Sequence, residues 1–310
     1  MFGTNVQKLI STAKRLTDLP HNKFDLELYK DKLLKHHLYR RFHSTPYFGV
    51  IRQMAGGHDD AGIVDTSMGI DTPEPRIILI GKGMLFDSGG YNLKTGKHLA
   101  DMHVDKAGMV IALTVAKYFD AVEKRLNNKH VVAYCPVTTN FLHTSKLTPG
   151  DIVQIGKHEV CINNTDAEGR LIIAEALTLA PIRDNDVVIT IATLTGCCEY
   201  AVDKATGVLG SPELTARYLL AAKQAKEYAW TLPMFDYMQK HYKKDPILNA
   251  QDKIKAGTSE GAMFIKQFVK YPKNWIHLDI ASSAFDDRGK ANGVPIKSLI
   301  RFIAGLTNTK

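Results

Sequence analysis

The chain has 310 residues, a formal net charge of +8 and 45% hydrophobic residues, a composition typical of a folded globular core and not of a disordered or fibrous protein. Its length suits one large α/β domain or two smaller ones. The sequence contains no apolar run of about eighteen residues, so no membrane-spanning helix is predicted.

Residues 1–20 are predicted to form a helix that belongs to the folded protein. Apolar residues recur there at helical spacing, at Val6, Leu9, Ile10, Ala13 and Leu16. The lack of acidic residues before Asp18 is weakly typical of a cleaved transit peptide, but the helical spacing favours the folded interpretation.

Residues 22–45 are also predicted to be helical, and residues 30–43 within them are strongly basic. Such a stretch is most often the solvated face of a helix. It could instead attract an acidic partner or nucleic acid, so that alternative stays open.

Three short apolar runs predict buried strands, at residues 76–80, 131–135 and 187–191. Residues 105–119 and 171–180 are typical of helices that pack on such a sheet. Strands that alternate with helices predict an α/β fold whose sheet is covered on both faces. Residues 136–150 are rich in turn-forming residues and are predicted to be a loop.

The cysteines are predicted to be free thiols. Cys135, Cys161, Cys197 and Cys198 fit no spacing of a metal finger or a redox pair. They lie in apolar segments, where a free cysteine behaves as a small hydrophobic residue. A reducing, cytoplasmic compartment is therefore expected.

Residues 163–170 (NNTDAEGR) place Asp166, Glu168 and Arg170 directly before an apolar helical segment. A packed helix gives such side chains a rigid mount, and crowded carboxylates repel one another unless a cation lies between them. Taken alone, the stretch is more often a solvated polar turn, but a second cluster accompanies it.

The second polar cluster follows the first of the predicted strands. Residues 81–90 (GKGMLFDSGG) are rich in glycine and carry Lys82 and Asp87, and Lys94 and Asp105 come next. Enzymes of the α/β class present polar groups at the ends of strands in this way. The segment lacks the GxxxxGK[ST] pattern of a phosphate-binding loop, so nucleotide binding is not predicted.

Together these motifs resemble the leucine aminopeptidase family, the two-metal exopeptidases also called cytosol aminopeptidases. Residues 164–171 (NTDAEGRL) are similar to the family signature and residues 81–94 (GKGMLFDSGGYNLK) to its glycine-rich segment, and Asp105 lies eleven residues after Lys94 as in the family. Weaker matches lie at residues 147–151, 192–196, 275–281 and 293–295. The resemblance covers about residues 75–305.

The resemblance implies a three-layer α/β/α sandwich of the zinc-exopeptidase type, with a mixed, mostly parallel central sheet. It implies a single catalytic domain over residues 1–310. Residues 1–70 are expected to form a divergent helical and basic segment, and residues 71–310 the metallopeptidase core. The separate N-terminal domain of the family is expected to be absent. Members of the family assemble as hexamers, so a homohexamer is expected.

The resemblance also implies two divalent metal ions per subunit. Zinc and manganese are expected, with magnesium or cobalt as alternatives, because such ligands do not select one metal. Asp87 and Glu168 are expected to bridge both ions, Asp166 to bind one, and Asp105 and Lys82 to bind the other. Lys82 would have to be a neutral amine, which nearby cations favour; a salt bridge to Asp87 is the alternative.

Lys94 and Arg170 are the catalytic residues that the resemblance implies. In the family, a hydroxide that bridges the two metals attacks the peptide, Lys94 is expected to stabilise the developing oxyanion, and Arg170 to anchor a bicarbonate that shuttles protons. Residues expected to bind substrate are Met84, Thr193, Leu194, Thr195 and Gly196.

The implied function is that of a leucyl aminopeptidase-type metalloexopeptidase, a hydrolase that removes an N-terminal leucine or other apolar residue from peptides. The alternative is a catalytically weak relative that binds nucleic acid or serves as a scaffold. No membrane partner is expected.

Two residues depart from the family pattern near the expected ligands. Lys106 follows Asp105 where the family has an apolar residue, and His103 stands where it has Lys or Arg. Lys106 is expected either to point away from the metals or to compete for their carboxylates. His277 and Asp279 lie in a run that is expected to be structural.

Overall fold

The structure, a computed structural model, describes residues 4–24, 38–41, 49–55, 61–67, 74–122, 130–142 and 147–307. The strands are β1 (Leu38–Arg41), β2 (Gly62–Asp65), β3 (Ile77–Gly81), β4 (Gly83–Asp87), β5 (Val131–Asn140), β6 (Ile152–Ile155), β7 (His158–Cys161), β8 (Val187–Ala192), β9 (Thr206–Gly210), β10 (Ala229–Thr231), β11 (Ile247–Leu248) and β12 (Trp275–Asp279). The α-helices are α1 (Thr4–Thr17), α2 (Gly49–Met54), α3 (Gly96–Ala100), α4 (Ala107–Val122), α5 (Glu168–Leu179), α6 (Cys197–Val202), α7 (Pro212–Ala225), α8 (Asp236–Gln239), α9 (Gly257–Lys266) and α10 (Ile296–Thr307).

A nine-stranded mixed sheet forms the centre of the fold. Its strand order is β1-β2-β5-β3-β8-β12-β9-β10, and β4 pairs with β5 beside this path. The central strands β5, β3, β8 and β12 are parallel, whereas β1–β2, β2–β5 and β12–β9 are antiparallel. The predicted mixed, mostly parallel sheet is therefore confirmed. A separate three-stranded sheet has the order β11-β7-β6.

Helices cover both faces of the large sheet. Alternate residues of β3 face opposite sides, because side chains alternate along a strand. Ile77 and Leu79 pack in one hydrophobic cluster with residues of α1, α4, α7 and α10. Ile78 and Ile80 pack in the other with residues of α2, α5 and α9. The arrangement is the expected three-layer sandwich.

The N-terminal part of the chain is only partly as predicted. The predicted first helix is confirmed as α1, with Val6, Ile10, Ala13 and Leu16 buried. The predicted helix over residues 22–45 is wrong at Leu38–Arg41, which form β1. That segment pairs antiparallel with β2 and so extends the sheet, a tertiary contact that overrides local helical tendency. The rest of the basic stretch lies outside the described residues.

The predicted loop over residues 136–150 is wrong in its first part, because β5 continues to Asn140. Beyond Cys135 this strand is held on one side by β2, where Val137 lies opposite Gly62, and on the other by β4. Two-sided pairing keeps turn-forming residues extended. The extension matters because it brings Asn140 to the end of β4.

The structure describes no helix that is both long and apolar enough to cross a membrane. All four cysteines lie in its described part and are free, as predicted.

Glu175 on α5 is a buried carboxyl that anchors the short helix α2. Its Oε2 accepts the N–H of Ile51 at 2.7 Å and its Oε1 that of Val50 at 3.3 Å. Burial raises the pKa of Glu175 to about 7, although these amide donors act in the opposite direction. The Glu175 carboxyl of the folded protein therefore stays protonated up to a higher pH than the same group in the unfolded chain.

This pKa shift predicts that the wild type loses stability relative to Glu175→Gln as pH rises. Between about pH 4.5 and 7 the Glu175 carboxyl of the unfolded state binds fewer protons than that of the folded state. Its contribution to the free energy of unfolding therefore falls through this window and is constant above it. At about 1.36 kcal/mol per pKa unit, the wild type should lose up to about 3 kcal/mol relative to the variant. Urea unfolding of both proteins at pH 5 and pH 8 measures this difference, and an equal difference at the two pH values contradicts the prediction.

Candidate metal centre

The sequence-predicted polar residues converge at the carboxyl edge of the parallel strands. Lys82 follows β3 and Asp87 is the last residue of β4. Thr193 follows β8, Glu168 is the first residue of α5, and Asp105 ends a short 3-10 helix two residues before α4 begins. Because each position lies at the end of a packed strand or helix, the side chains are held by rigid elements.

Three carboxyl groups form the centre of this site. Asp87, Asp105 and Glu168 each offer an oxygen, and these oxygens all lie within 4.8 Å of one another. All three side chains are buried. The Oε2 atom of Glu168 is buried and has no hydrogen-bond partner among the described residues. An unpartnered carboxylate oxygen in a cluster of like charges is the arrangement expected of a cation ligand.

Lys82 lies inside the cluster. Its Nζ is 2.6 Å from Asp105 Oδ2 and 2.9 Å from Glu168 Oε1, and it donates to the carbonyl of Thr193 at 3.3 Å. These contacts differ from the simple salt bridge to Asp87 that was the alternative. Gly169 makes room for the amine, since a Cβ at that position would lie 2.6 Å from Nζ.

Lys94 links the other two acids. Its Nζ lies 2.9 Å from Asp87 Oδ2 and forms a second, short ion pair with Asp166. Burial on its own lowers the pKa of this ammonium, but the negative charges of Glu168, Asp87 and Asp166 outweigh burial and raise the pKa above its usual value. Lys94 is therefore protonated in this environment.

The carboxyl groups have divergent acidities. Burial, followed by the charge of Asp87, raises the pKa of Glu168 to about 8, and burial raises that of Asp105 to about 6. The pKa of Asp87 is lowered, because Lys82 and Lys94 outweigh its burial. Burial likewise lowers the pKa of Lys82, but Asp105, Glu168 and Asp87 outweigh it and raise the pKa above the usual range.

The residues fit divalent metal ions. Four carboxyl groups face two ammonium groups, so two negative charges are in excess once all four carboxyl groups are ionised, as metal ligands must be. Carboxylate oxygens are ligands for hard and borderline divalent cations, and the charge of such ions would reverse the effect that now raises the pKa of Lys82. Asp87, Asp105 and Glu168 can therefore hold metal. Lys82 contacts two of them, and Asp166 is joined to Asp87 through Lys94.

Asn140 is a site residue that the sequence did not predict. Its Nδ2 donates to Asp87 Oδ1 at 2.7 Å and to the carbonyl of Thr165 at 3.1 Å. The N–H of Gly89 donates to the same Asp87 oxygen at 2.9 Å. These donors orient one oxygen of Asp87 and leave the other facing Lys94. No signal in a single sequence identifies Asn140, which lies in the segment predicted to be a loop.

Residues 193–196 follow β8 and lie beside the acids; because they are the residues expected to bind substrate, we refer to this segment as the substrate wall. Thr193 Oγ1 donates to Asp105 Oδ1 at 2.5 Å. Thr195 Oγ1 donates to Asp279 Oδ2 at 2.6 Å, and the N–H of Leu194 donates to Asp279 Oδ1 at 3.2 Å. The buried Asp279 carboxyl thus fixes the backbone of this segment, and Gly196 ends it at the start of α6.

Met84 is fully buried in the hydrophobic cluster that also contains residues of α2 and α5. Leu194 of the substrate wall packs against the same cluster.

Arg170 projects from the first turn of α5 and is buried. Its Nη1 donates to the carbonyl of Asn249 at 2.8 Å and forms a short ion pair with Glu260 Oε2. The sequence did not predict Glu260 as a partner. The Nη2 of Arg170 would lie 3.3 Å from a Cβ placed at Gly261, a position that also borders Leu194 and Thr195.

Lys106 points away from the carboxyl cluster. Its Nζ donates to the carbonyl of Leu19 at 2.8 Å and, at short range, to that of His103. It also lies 5.1 Å from the centre of the Phe24 ring. Of the two expected orientations the structure has the first, and Lys106 ties the segment after α1 to the turn before α4.

Comparison with known sequences identifies similar proteins. The profile of a family described as "Cytosol aminopeptidase family, catalytic domain" matches residues 39–300. A "Probable cytosol aminopeptidase" of Synechococcus is 34% identical over 75% of this chain and 49% of the relative. One of Prochlorococcus marinus is 32% identical over 95% of this chain and 64% of the relative. One of Chromobacterium violaceum is 37% identical over 75% of this chain and 45% of the relative. The chain thus spans about half to two thirds of the length of these relatives.

Proposed function

Because the chain belongs to the cytosol aminopeptidase family, we propose that it is a metal-dependent aminopeptidase that removes an N-terminal leucine or other apolar residue from peptides. The observation that carries the proposal is the buried cluster of Asp87, Asp105 and Glu168, whose oxygens lie within 4.8 Å of one another. Such a cluster at the edge of a parallel sheet is built to hold cations, and the family is metal-dependent.

Five side chains are proposed to hold two divalent ions: Lys82, Asp87, Asp105, Asp166 and Glu168. Zinc or manganese is proposed, with magnesium or cobalt as alternatives. When bound, such ions acidify water and polarise the peptide carbonyl. Asn140 and Thr193 keep Asp87 and Asp105 in position by hydrogen bonds.

The protein's own groups supply the remaining chemistry. The protonated Lys94 donates a hydrogen bond to the oxyanion that develops on the attacked carbonyl. Arg170 would hold a bicarbonate, which would supply a proton shuttle. The backbone of the substrate wall orients the peptide. A free α-amine would offer a lone pair to an ion bound there, whereas an internal residue offers only an amide nitrogen, which is a poor ligand.

Metal analysis combined with an aminoacyl-anilide panel tests the proposal. The purified protein is expected to contain two divalent ions per chain and to hydrolyse leucine anilide, but not its N-acetylated form. Exhaustive chelation should abolish turnover, and added Zn²⁺ or Mn²⁺ should restore it. Full turnover after chelation with no residual metal, or equal cleavage of the acetylated substrate, overturns the assignment.

A cytoplasmic location and assembly as a homohexamer are further proposals, supported by family membership. Light scattering on the purified protein measures the assembly. The basic stretch on which a nucleic-acid-binding function would rest lies mostly outside the described residues, so that alternative gains no support from the fold.

A further inference from the structure

The guanidinium of Arg170 is held by groups that belong to no motif of the sequence. Its Nη1 contacts the carboxylate of Glu260 on α9 and the carbonyl of Asn249. The face of Phe264, also on α9, lies 6.0 Å from the guanidinium carbon. Both members of the ion pair are buried, at 6% and 5% exposure for Arg170 and Glu260. A pair in this environment interacts much more strongly than one in water.

Glu260 is itself held in one orientation. Its Oε1 accepts the hydroxyl of Tyr242 at 2.8 Å and the N–H of Gln251 at 3.0 Å, which leaves Oε2 for Arg170. Burial and the charge of Glu260 raise the pKa of Tyr242, so the phenol stays protonated and donates. Each carboxylate oxygen therefore has an assigned partner, and the side chain cannot rotate without losing hydrogen bonds.

The start of α9 also touches the substrate wall. A Cβ placed at Gly261 would lie 3.0 Å from Leu194 Cδ2, 3.2 Å from Thr195 Cγ2 and 3.3 Å from Arg170 Nη2. One backbone position thus borders both the wall and the second terminal nitrogen of Arg170. The residue before it, Glu260, fixes the first terminal nitrogen, so α9 sets where the guanidinium stands relative to the wall.

The ion pair also has an electrostatic consequence. A guanidinium that faces a small oxyanion attracts it with its full charge only when no carboxylate already compensates that charge. Here Glu260 provides such compensation from within the protein. An anion on the remaining edge of Arg170 is attracted by the arginine and repelled by Glu260.

We propose that Glu260 is a positioning residue: it fixes the guanidinium of Arg170 beside the substrate wall and offsets part of its charge, so that bicarbonate binds there weakly and exchangeably. The positioning part rests on the proposed aminopeptidase function. The anion-binding part concerns Arg170 alone and can be measured without turnover.

The test compares Glu260→Gln with Glu260→Ala in the metal-loaded protein. Gln keeps the shape and one oxygen acceptor but removes the charge, so kcat for leucine anilide should fall less than about fivefold, whereas Ala should lower kcat about 10- to 100-fold. KM and metal content should change less than about twofold in both, because neither variant removes a ligand or the substrate wall. Binding of ¹³C-labelled bicarbonate, followed by NMR line broadening, should be about tenfold tighter in Glu260→Gln than in the wild type and lost in Arg170→Met.

The matched control is Glu213→Gln, which removes the same charge from an exposed ion pair with Arg217 on α7. It should leave kcat and bicarbonate affinity unchanged.

A purely structural role for Glu260 would lower the urea midpoint but leave kcat and bicarbonate affinity unchanged in the folded protein, and that result overturns the proposal. If Glu260→Ala does not fold, unchanged bicarbonate affinity in Glu260→Gln overturns it equally. If the wild type does not hydrolyse any anilide, the aminopeptidase function fails, and the bicarbonate titration still decides the role of Glu260 in anion binding.

Discussion

Replacing Glu168 with alanine is expected to abolish hydrolysis of leucine anilide and to release metal. Glu168 lies at the centre of the carboxyl cluster, with one oxygen 2.9 Å from Lys82 and the other unpartnered among the described residues. Residues that only support a metal ligand cost about 10- to 100-fold in affinity or activity when removed. Loss of a carboxylate proposed to bind both ions should therefore lower kcat by more than about a hundredfold. Steady-state kinetics and metal analysis after dialysis measure the two effects.

The control for this prediction is Glu199→Ala. Glu199 is an exposed carboxylate in the first turn of α6, four residues beyond Thr195 of the substrate wall. Its removal should change neither metal content nor kcat, since an exposed carboxylate without a close partner contributes little. Near-normal turnover in Glu168→Ala, with a wild-type unfolding midpoint and full metal content, would show that the carboxyl cluster is not the catalytic centre.

The sequence correctly predicted the buried strands at the centre of the fold. It did not predict the segments that are extended only because they pair with other strands. The runs that became β3, β5 and β8 are apolar because parallel strands with both faces covered must be. By contrast, Leu38–Arg41 and the continuation of β5 to Asn140 owe their extended form to strands distant in the sequence. Hydrophobic periodicity carries no information about such partners, so these segments were predicted as helix and loop.

The same distinction applies to the candidate site. Lys82, Asp87 and Glu168 were predicted to meet because they lie in motifs whose spacing marks the family, and the structure brings them together. Asn140 and Glu260 act through hydrogen bonds that span 53 and 90 residues. No local pattern distinguishes such a residue from any other buried polar residue. The supporting contacts of a site are therefore the part that requires the structure.

Replacing Lys94 with methionine is expected to lower kcat about 100- to 1,000-fold, the usual cost of removing one donor to a developing oxyanion. Metal content should stay at the wild-type level, because Lys94 contacts Asp87 and Asp166 without being needed to bind the ions. Removing an ammonium from an acid-rich site should, if anything, strengthen cation binding. KM for leucine anilide should change less than about threefold, since the oxyanion forms only in the transition state.

Lys94→Arg separates charge from geometry, because arginine keeps the positive charge but presents it as a planar fork rather than a compact ammonium. Lys94→Arg should recover part of the kcat lost in Lys94→Met. If Lys94 served only to balance charge, Lys94→Arg would recover the full wild-type kcat. Lys204→Met is the matched control, since Lys204 forms an ion pair with Asp287 at an exposed surface and should be dispensable. If Lys94→Met instead raises KM and leaves kcat unchanged, the ammonium binds the substrate in its ground state, and oxyanion stabilisation must be assigned to another group.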